Sequence, residues 1–216
     1  MKREGTGYIF ISLGLLGAFV IWTVLVCLVD VQAIGPQGTR VGFATMNQFV
    51  HALTGVNFTL YTVTDWLGLV PIGVVLVFAA IGLIQWVKRK HLLLVDRQIL
   101  LLGGFYLAVM AVFAFFEVVV INYRPVLIDG LAEASYPSST TMLTMCVMPT
   151  AIMQLHDRIK RLWVRQGVAI VIWAFTCLMV LGRLLSGVHW MSDIIGGAIV
   201  SAGLVMMYAG LRVTIL

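Results

Sequence analysis

Gly182-Arg183-Leu184-Leu185-Ser186-Gly187-Val188-His189-Trp190-Met191-Ser192-Asp193 sets an arginine, a histidine and an aspartate between two strongly apolar stretches. Ionisable groups beside hydrocarbon are costly and usually face a protein interior or a wet cavity, so they mark a working site by default. His189 and Asp193 are four residues apart and share a face if the last helix has begun by then, where a carboxylate holds an imidazole in one tautomer. An oriented neutral imidazole is a competent nucleophile or base. Gly187 just before it lets the chain turn sharply and come close to a bound phosphate.

Two further clusters interrupt the apolar pattern, Asn122-Tyr123-Arg124-Pro125 and Tyr136-Pro137-Ser138-Ser139-Thr140-Thr141. Arg124 and Arg183 are permanently charged forks suited to bidentate recognition of phosphate oxygens. Pro137 followed by Ser138, Ser139 and Thr140 reads as a helix start, whose unpaired N–H groups and positive dipole end favour an anion, with Ser138 adding a hydroxyl. Taken singly, Arg124 reads equally well as a snorkelling boundary residue and His189 as an interfacial histidine. Their joint occurrence points to phosphate chemistry.

The elements that must position these groups are membrane helices. Of 216 residues 61% are hydrophobic and 11% charged, and the mean hydropathy is +1.05. Those values exclude an ordinary soluble domain and predict an all-α polytopic membrane protein. Apolar windows run over 8–28, 67–87, 99–121, 140–155, 167–185 and 194–211, each near the roughly 20 residues that span a bilayer. The reading is one six-helix membrane domain over 1–216. Lys2 and Arg3 before a long apolar run without a cleavage site predict a retained first span.

Lys2, Arg3, Lys88, Arg89, Lys90, Arg97, Arg158, Lys160, Arg161, Arg165 and Arg212 fall on one side; only Arg40, Arg124 and Arg183 fall on the other. By the positive-inside rule both termini are cytoplasmic and the three clusters share the outer face. The net charge of +5 is then a topology signal, and nucleic-acid binding is excluded because no basic face is interleaved with readers. The longest loop, 29–66, contains the turn Gly35-Pro36-Gln37-Gly38 and a mixed stretch near 43–53, either an interfacial helix or a loop helix packed on the bundle. Cys27, Cys146 and Cys177 lie in separate apolar runs without ligand spacing and carry no chemistry. Met142, Met145 and Met148 read as packing or lipid-facing residues, and Gly197, Ala198, Ser201 and Ala202 as small-residue helix packing.

These clusters resemble the type 2 phosphatidic acid phosphatase (PAP2) superfamily of lipid phosphatases and phosphotransferases. That family carries Lys-x6-Arg-Pro, Pro-Ser-Gly-His and Ser-Arg-x5-His-x3-Asp in this order on one membrane face of a six-helix core. Arg124-Pro125 matches the first block, Pro137-Ser138 half of the second, and Arg183, His189 and Asp193 the third. The PAP2-like core covers about 67–214. The resemblance implies that His189 attacks phosphorus to form a phosphohistidine, that Asp193 orients it, and that Arg124, Arg183, Ser138 and the Ser139 backbone hold the phosphoryl oxygens. It implies no metal or cofactor. The partners it implies are a lipid phosphate substrate and the surrounding lipids, in a bacterial plasma membrane.

Three departures matter. Glu117 stands where the family has lysine, Thr140 where it has the histidine that protonates the leaving alkoxide, and Gly182 where it has serine. Loss of a general acid costs about 10²–10⁴-fold. A pyrophosphate, whose leaving phosphate needs less acid help, is therefore the favoured substrate, a polyprenyl pyrophosphate ahead of phosphatidic-acid-type monoesters. His51, Asp129 and Glu133 are the candidate substitute acids, and Glu117 weakens phosphate binding unless it pairs with an arginine. The alternatives are a degenerate protein that binds lipid phosphate without turnover and a lipid phosphotransferase. A transporter would need charged residues at the midplane, which the spans lack.

Overall fold

The computed structural model describes residues 2–215. Among the described residues there are eight α-helices: α1 (Lys2–Leu28), α2 (Ala44–Thr54), α3 (Phe58–Leu67), α4 (Leu69–Arg89), α5 (Arg97–Val118), α6 (Ser139–Arg158), α7 (Leu162–Leu185) and α8 (Met191–Ile215). Five segments of the described residues are long and apolar enough to cross a membrane: Arg3–Leu28, Phe58–Arg89, Arg97–Val118, Leu162–Leu185 and Met191–Ile215. Such helices satisfy their backbone polar groups internally, which hydrocarbon demands.

The fourth apolar window becomes α6, which falls short of those five in length and hydropathy. Ten of its 20 residues are buried, and it packs against α4, α5, α7 and α8. Its polar side chains are spent inside protein. The Thr150 hydroxyl donates to the Cys146 carbonyl (2.8 Å), and the fully buried Gln154 donates to the Tyr208 hydroxyl (2.6 Å).

α8 is the other organising helix. α1 lies along it, with the Ser12 hydroxyl donating to the Gly203 carbonyl (2.7 Å). Gly197 and Ser201 let α6 approach from another side, Ser201 donating to the Met142 carbonyl at 3.3 Å. Phe19, Phe116 and Tyr136 close the core beneath the loops, Phe19 stacked on Tyr136 with centroids 6.2 Å apart.

The 29–66 segment differs from its expected loop. The mixed stretch folds as α2, which packs on α8 while Phe49 and Leu53 stay exposed. Residues 58–67 are helical too: the Asn57 side chain caps the Leu60 amide (2.9 Å), and α3 runs into α4 through Gly68, itself in helical geometry. Thr62 and Thr64 donate to carbonyls of their own helix, which hides the polarity that reads as loop in sequence.

Basic residues flank the ends of α4, α5, α6, α7 and α8 opposite to the loops 119–138 and 186–190. There Arg89 pairs with Asp96, and Arg212 with Asp157.

Candidate active site

Three local devices bring the three clusters together. Residues 122–135 double back through a turn at Asp129 and Gly130, with the Arg124 amide donating to the Glu133 carbonyl (3.0 Å) and the Ser135 amide to the Asn122 carbonyl (2.9 Å). The first cluster is thereby tied to the second. The Ser138 amide donates to the Asp193 carbonyl at 3.1 Å, tying the second to the third. At the α7–α8 turn Gly187 has φ +66°, and a Cβ there would lie 1.8 Å from the Gly55 carbonyl oxygen. The close approach expected of Gly187 is thus to the α2–α3 loop, where the Asn57 amide donates to the Ser186 carbonyl (3.0 Å).

His189 is 3% exposed and precedes α8, which begins at Met191, so a shared helix face does not unite it with Asp193. The pair is nonetheless close, with His189 Nδ1 3.9 Å from Asp193 Oδ2, beyond hydrogen-bond length. Asp193 is fully buried; its Oδ1 accepts from Asn122 (2.9 Å) and its Oδ2 from the Trp190 amide (3.0 Å). That second contact is the return half of a capping box. His189 Nε2 lies 3.4 Å from an Arg124 Nη. A guanidinium only donates, which assigns Nε2 the lone pair and Nδ1 the proton. Burial, then the charges of Arg124 and Arg183, hold the imidazole well below its ordinary pKa.

The two arginines share one aromatic spacer. Their guanidinium carbons lie 5.8 Å and 5.0 Å from the Tyr61 ring centroid. Each also holds a carboxylate: Arg124 Nε is 3.0 Å from Glu133, and Arg183 Nη2 is 2.9 Å from Asp65. The same Arg183 nitrogen donates to Thr140 Oγ1 at 2.6 Å. Arg183 is 2% exposed, yet its Nε and Nη1 have no hydrogen-bond partner, and neither has the buried Ser138 hydroxyl at the N-cap of α6. Buried donors left unpaired cost about 1–3 kcal/mol each, a deficit that an oxyanion would relieve. Ser139 opens α6 and so offers one of the free amides of its first turn.

The remaining candidates separate. Glu117 is exposed in the last turn of α5 and forms no ion pair among the described residues. Asp129 is out in the exposed turn, whereas Glu133 is engaged with Arg124. His51 lies 5.5 Å from the Trp190 ring, its Nε2 buried without a partner.

Sequence reasoning missed Asp65, Tyr61 and Asn47. Asn47 is fully buried and clamps the start of α8, donating to Ser192 Oγ (2.9 Å) and accepting from the Ser192 amide (3.1 Å). Asp65 carried a signal, being a lone carboxylate in an apolar run. It also opens onto a cleft of about 390 Å³ between α4, α5 and α6, lined by Leu69, Ile72, Phe113 and Leu143 with Asp65 and Thr140 at its polar end.

The PAP2 superfamily profile matches residues 72–214. A solved structure, the crystal structure of the first transmembrane PAP2 type phosphatidylglycerolphosphate phosphatase from Bacillus subtilis, is similar in fold. It has a TM-score of 0.57 and 20% sequence identity, over 95% of this chain and 97% of the other. No curated protein matches the chain.

Proposed function

The chain belongs to the PAP2 superfamily, and from that premise we propose that it is an integral membrane lipid phosphatase working through a phosphohistidine. The observation that carries this reading is the neutral, buried His189, whose Nε2 lone pair lies against Arg124, next to an Arg183 with two unpaired nitrogens. Nε2 attacks phosphorus as the bond to the leaving oxygen breaks. Asp193 faces the Nδ1 proton and offsets the cation that forms on the ring. Arg124, Arg183, Ser138 and the first amides of α6 receive the phosphoryl oxygens, giving up the Glu133 and Asp65 contacts in exchange. Water then attacks the phosphorus, freeing phosphate and restoring His189.

The apolar cleft beside Thr140 suits a hydrocarbon chain, so the substrate is a lipid. A lipid pyrophosphate, with a polyprenyl chain favoured, is the substrate whose leaving group asks least of an acid, and Thr140 has no proton of suitable acidity to give. The site faces the outer leaflet of a bacterial plasma membrane, both termini lying inside, because the basic residues gather at the opposite helix ends.

The test is phosphate release by purified protein in detergent from paired polyprenyl pyrophosphate and phosphatidic acid. His189→Ala is expected to abolish release, a loss on the order of 10³–10⁶-fold, and the wild type to form an acid-labile phosphoenzyme. Turnover of the monoester but not the pyrophosphate would overturn the substrate preference. Binding without release from either would make the protein a lipid-phosphate binder, and release that requires a lipid acceptor would make it a transferase.

A further inference from the structure

Expelling an alkoxide from a phosphomonoester requires a proton at the bridging oxygen. We propose that Asp65 supplies it, opening to monoesters a site that Thr140 alone would leave to pyrophosphates; the proposal rests on the phosphatase reading above, not on its substrate preference. Three independent placements converge on this residue.

The first is chemical neighbourhood. Asp65 Oδ1 and Thr140 Oγ1 accept from one and the same Arg183 nitrogen, at 2.9 Å and 2.6 Å. The carboxyl therefore lies beside Thr140, and a phosphoryl group that engages Arg183, whose Nε and Nη1 are unpartnered, releases it there. The second is access. The Asp65 side chain is 59% exposed and stands at the polar end of the cleft that takes the hydrocarbon chain, so the bond from lipid to phosphorus passes it. His189, by contrast, is 3% exposed. The third is construction. α3 can bring Asp65 to Arg183 because α7 has no side chain at Gly182, where a Cβ would lie 2.7 Å from Thr64 Cγ2.

The step begins with Asp65 carrying a proton taken up from water. As Nε2 bonds to phosphorus and the ester P–O bond breaks, that proton passes to the departing oxygen and the lipid leaves as an alcohol. The Asp65 carboxylate then accepts a proton from the water whose oxygen displaces His189 from phosphorus. Protons and electron pairs balance over the cycle with water as the co-reactant.

The experiment compares wild type, Asp65→Asn and Asp65→Asn with Thr140→His, each as full-length protein in detergent, on phosphatidic acid, p-nitrophenyl phosphate and a polyprenyl pyrophosphate. Asp65→Asn is expected to lower kcat on phosphatidic acid by about 10²–10⁴-fold while the aryl phosphate and pyrophosphate lose less than about tenfold. Thr140→His is expected to restore part of the monoester rate. Equal losses on all three substrates with a raised KM would reduce Asp65 to a holder of Arg183. No loss on any substrate would remove Asp65 from the reaction and leave the phosphatase standing, whereas absence of release by the wild type would overturn both. If Asp65→Asn does not fold, the wild type decides alone: a rate falling steeply with rising leaving-group pKa overturns the proposal.

Discussion

The role proposed for His189 depends on what surrounds it. Burial first, then Arg124 and Arg183, hold the imidazole well below its ordinary value of 6.5. With the folded value depressed, the unfolded chain takes up a proton that the folded protein refuses. Stability from this residue is thus fully present above about pH 6.5 and falls as pH drops toward the folded value. The same shift preserves the Nε2 lone pair in mild acid. In a ¹⁵N NMR titration, the imidazole signal that disappears in His189→Gln should stay neutral at pH 6; protonation at pH 6.5 would contradict the described surroundings.

α3 gains its place because α7 offers it a bare backbone at Gly182. Gly182→Ala gains about 1 kcal/mol of helix propensity and loses about 1–3 kcal/mol to overpacking against Thr64, so the clash wins. The variant should melt lower than wild type in detergent. In a Thr64→Ala background, where the opposing methyl is gone, the same change should be neutral or mildly stabilising; equal losses in both backgrounds would refute this account. Apolar length alone makes α1, α4, α5, α7 and α8 legible in the sequence. α3 is not, since Thr59, Thr62, Thr64 and Asp65 read as loop until two of the hydroxyls are seen bonded to their own helix. Arg124, Ser138, Arg183, His189 and Asp193 stand out because each sits in a polar cluster at an apolar boundary. Tyr61 and Asn47 do not, because their roles arise from contacts with residues far along the chain.

At the scale of the whole molecule, the site and the basic helix ends lie at opposite extremes. In a chain whose three cysteines are replaced by serine, Asp129→Cys should react with a membrane-impermeant maleimide in intact cells. Lys160→Cys should react only after the membrane is opened, and the reverse pattern would invert the proposed orientation. The pairing of each site arginine with its own carboxylate then has a consequence for a protein immersed in lipid. The bilayer around it is built of phosphodiesters, each bringing one negative charge, whereas a terminal phosphate brings about 1.5 to 2. Displacing both Glu133 and Asp65 is a poor exchange for the first and a balanced one for the second. On the proposed phosphatase reading, the resting ion pairs act as a charge filter that keeps the solvent lipids from occupying a site meant for a scarce solute among them.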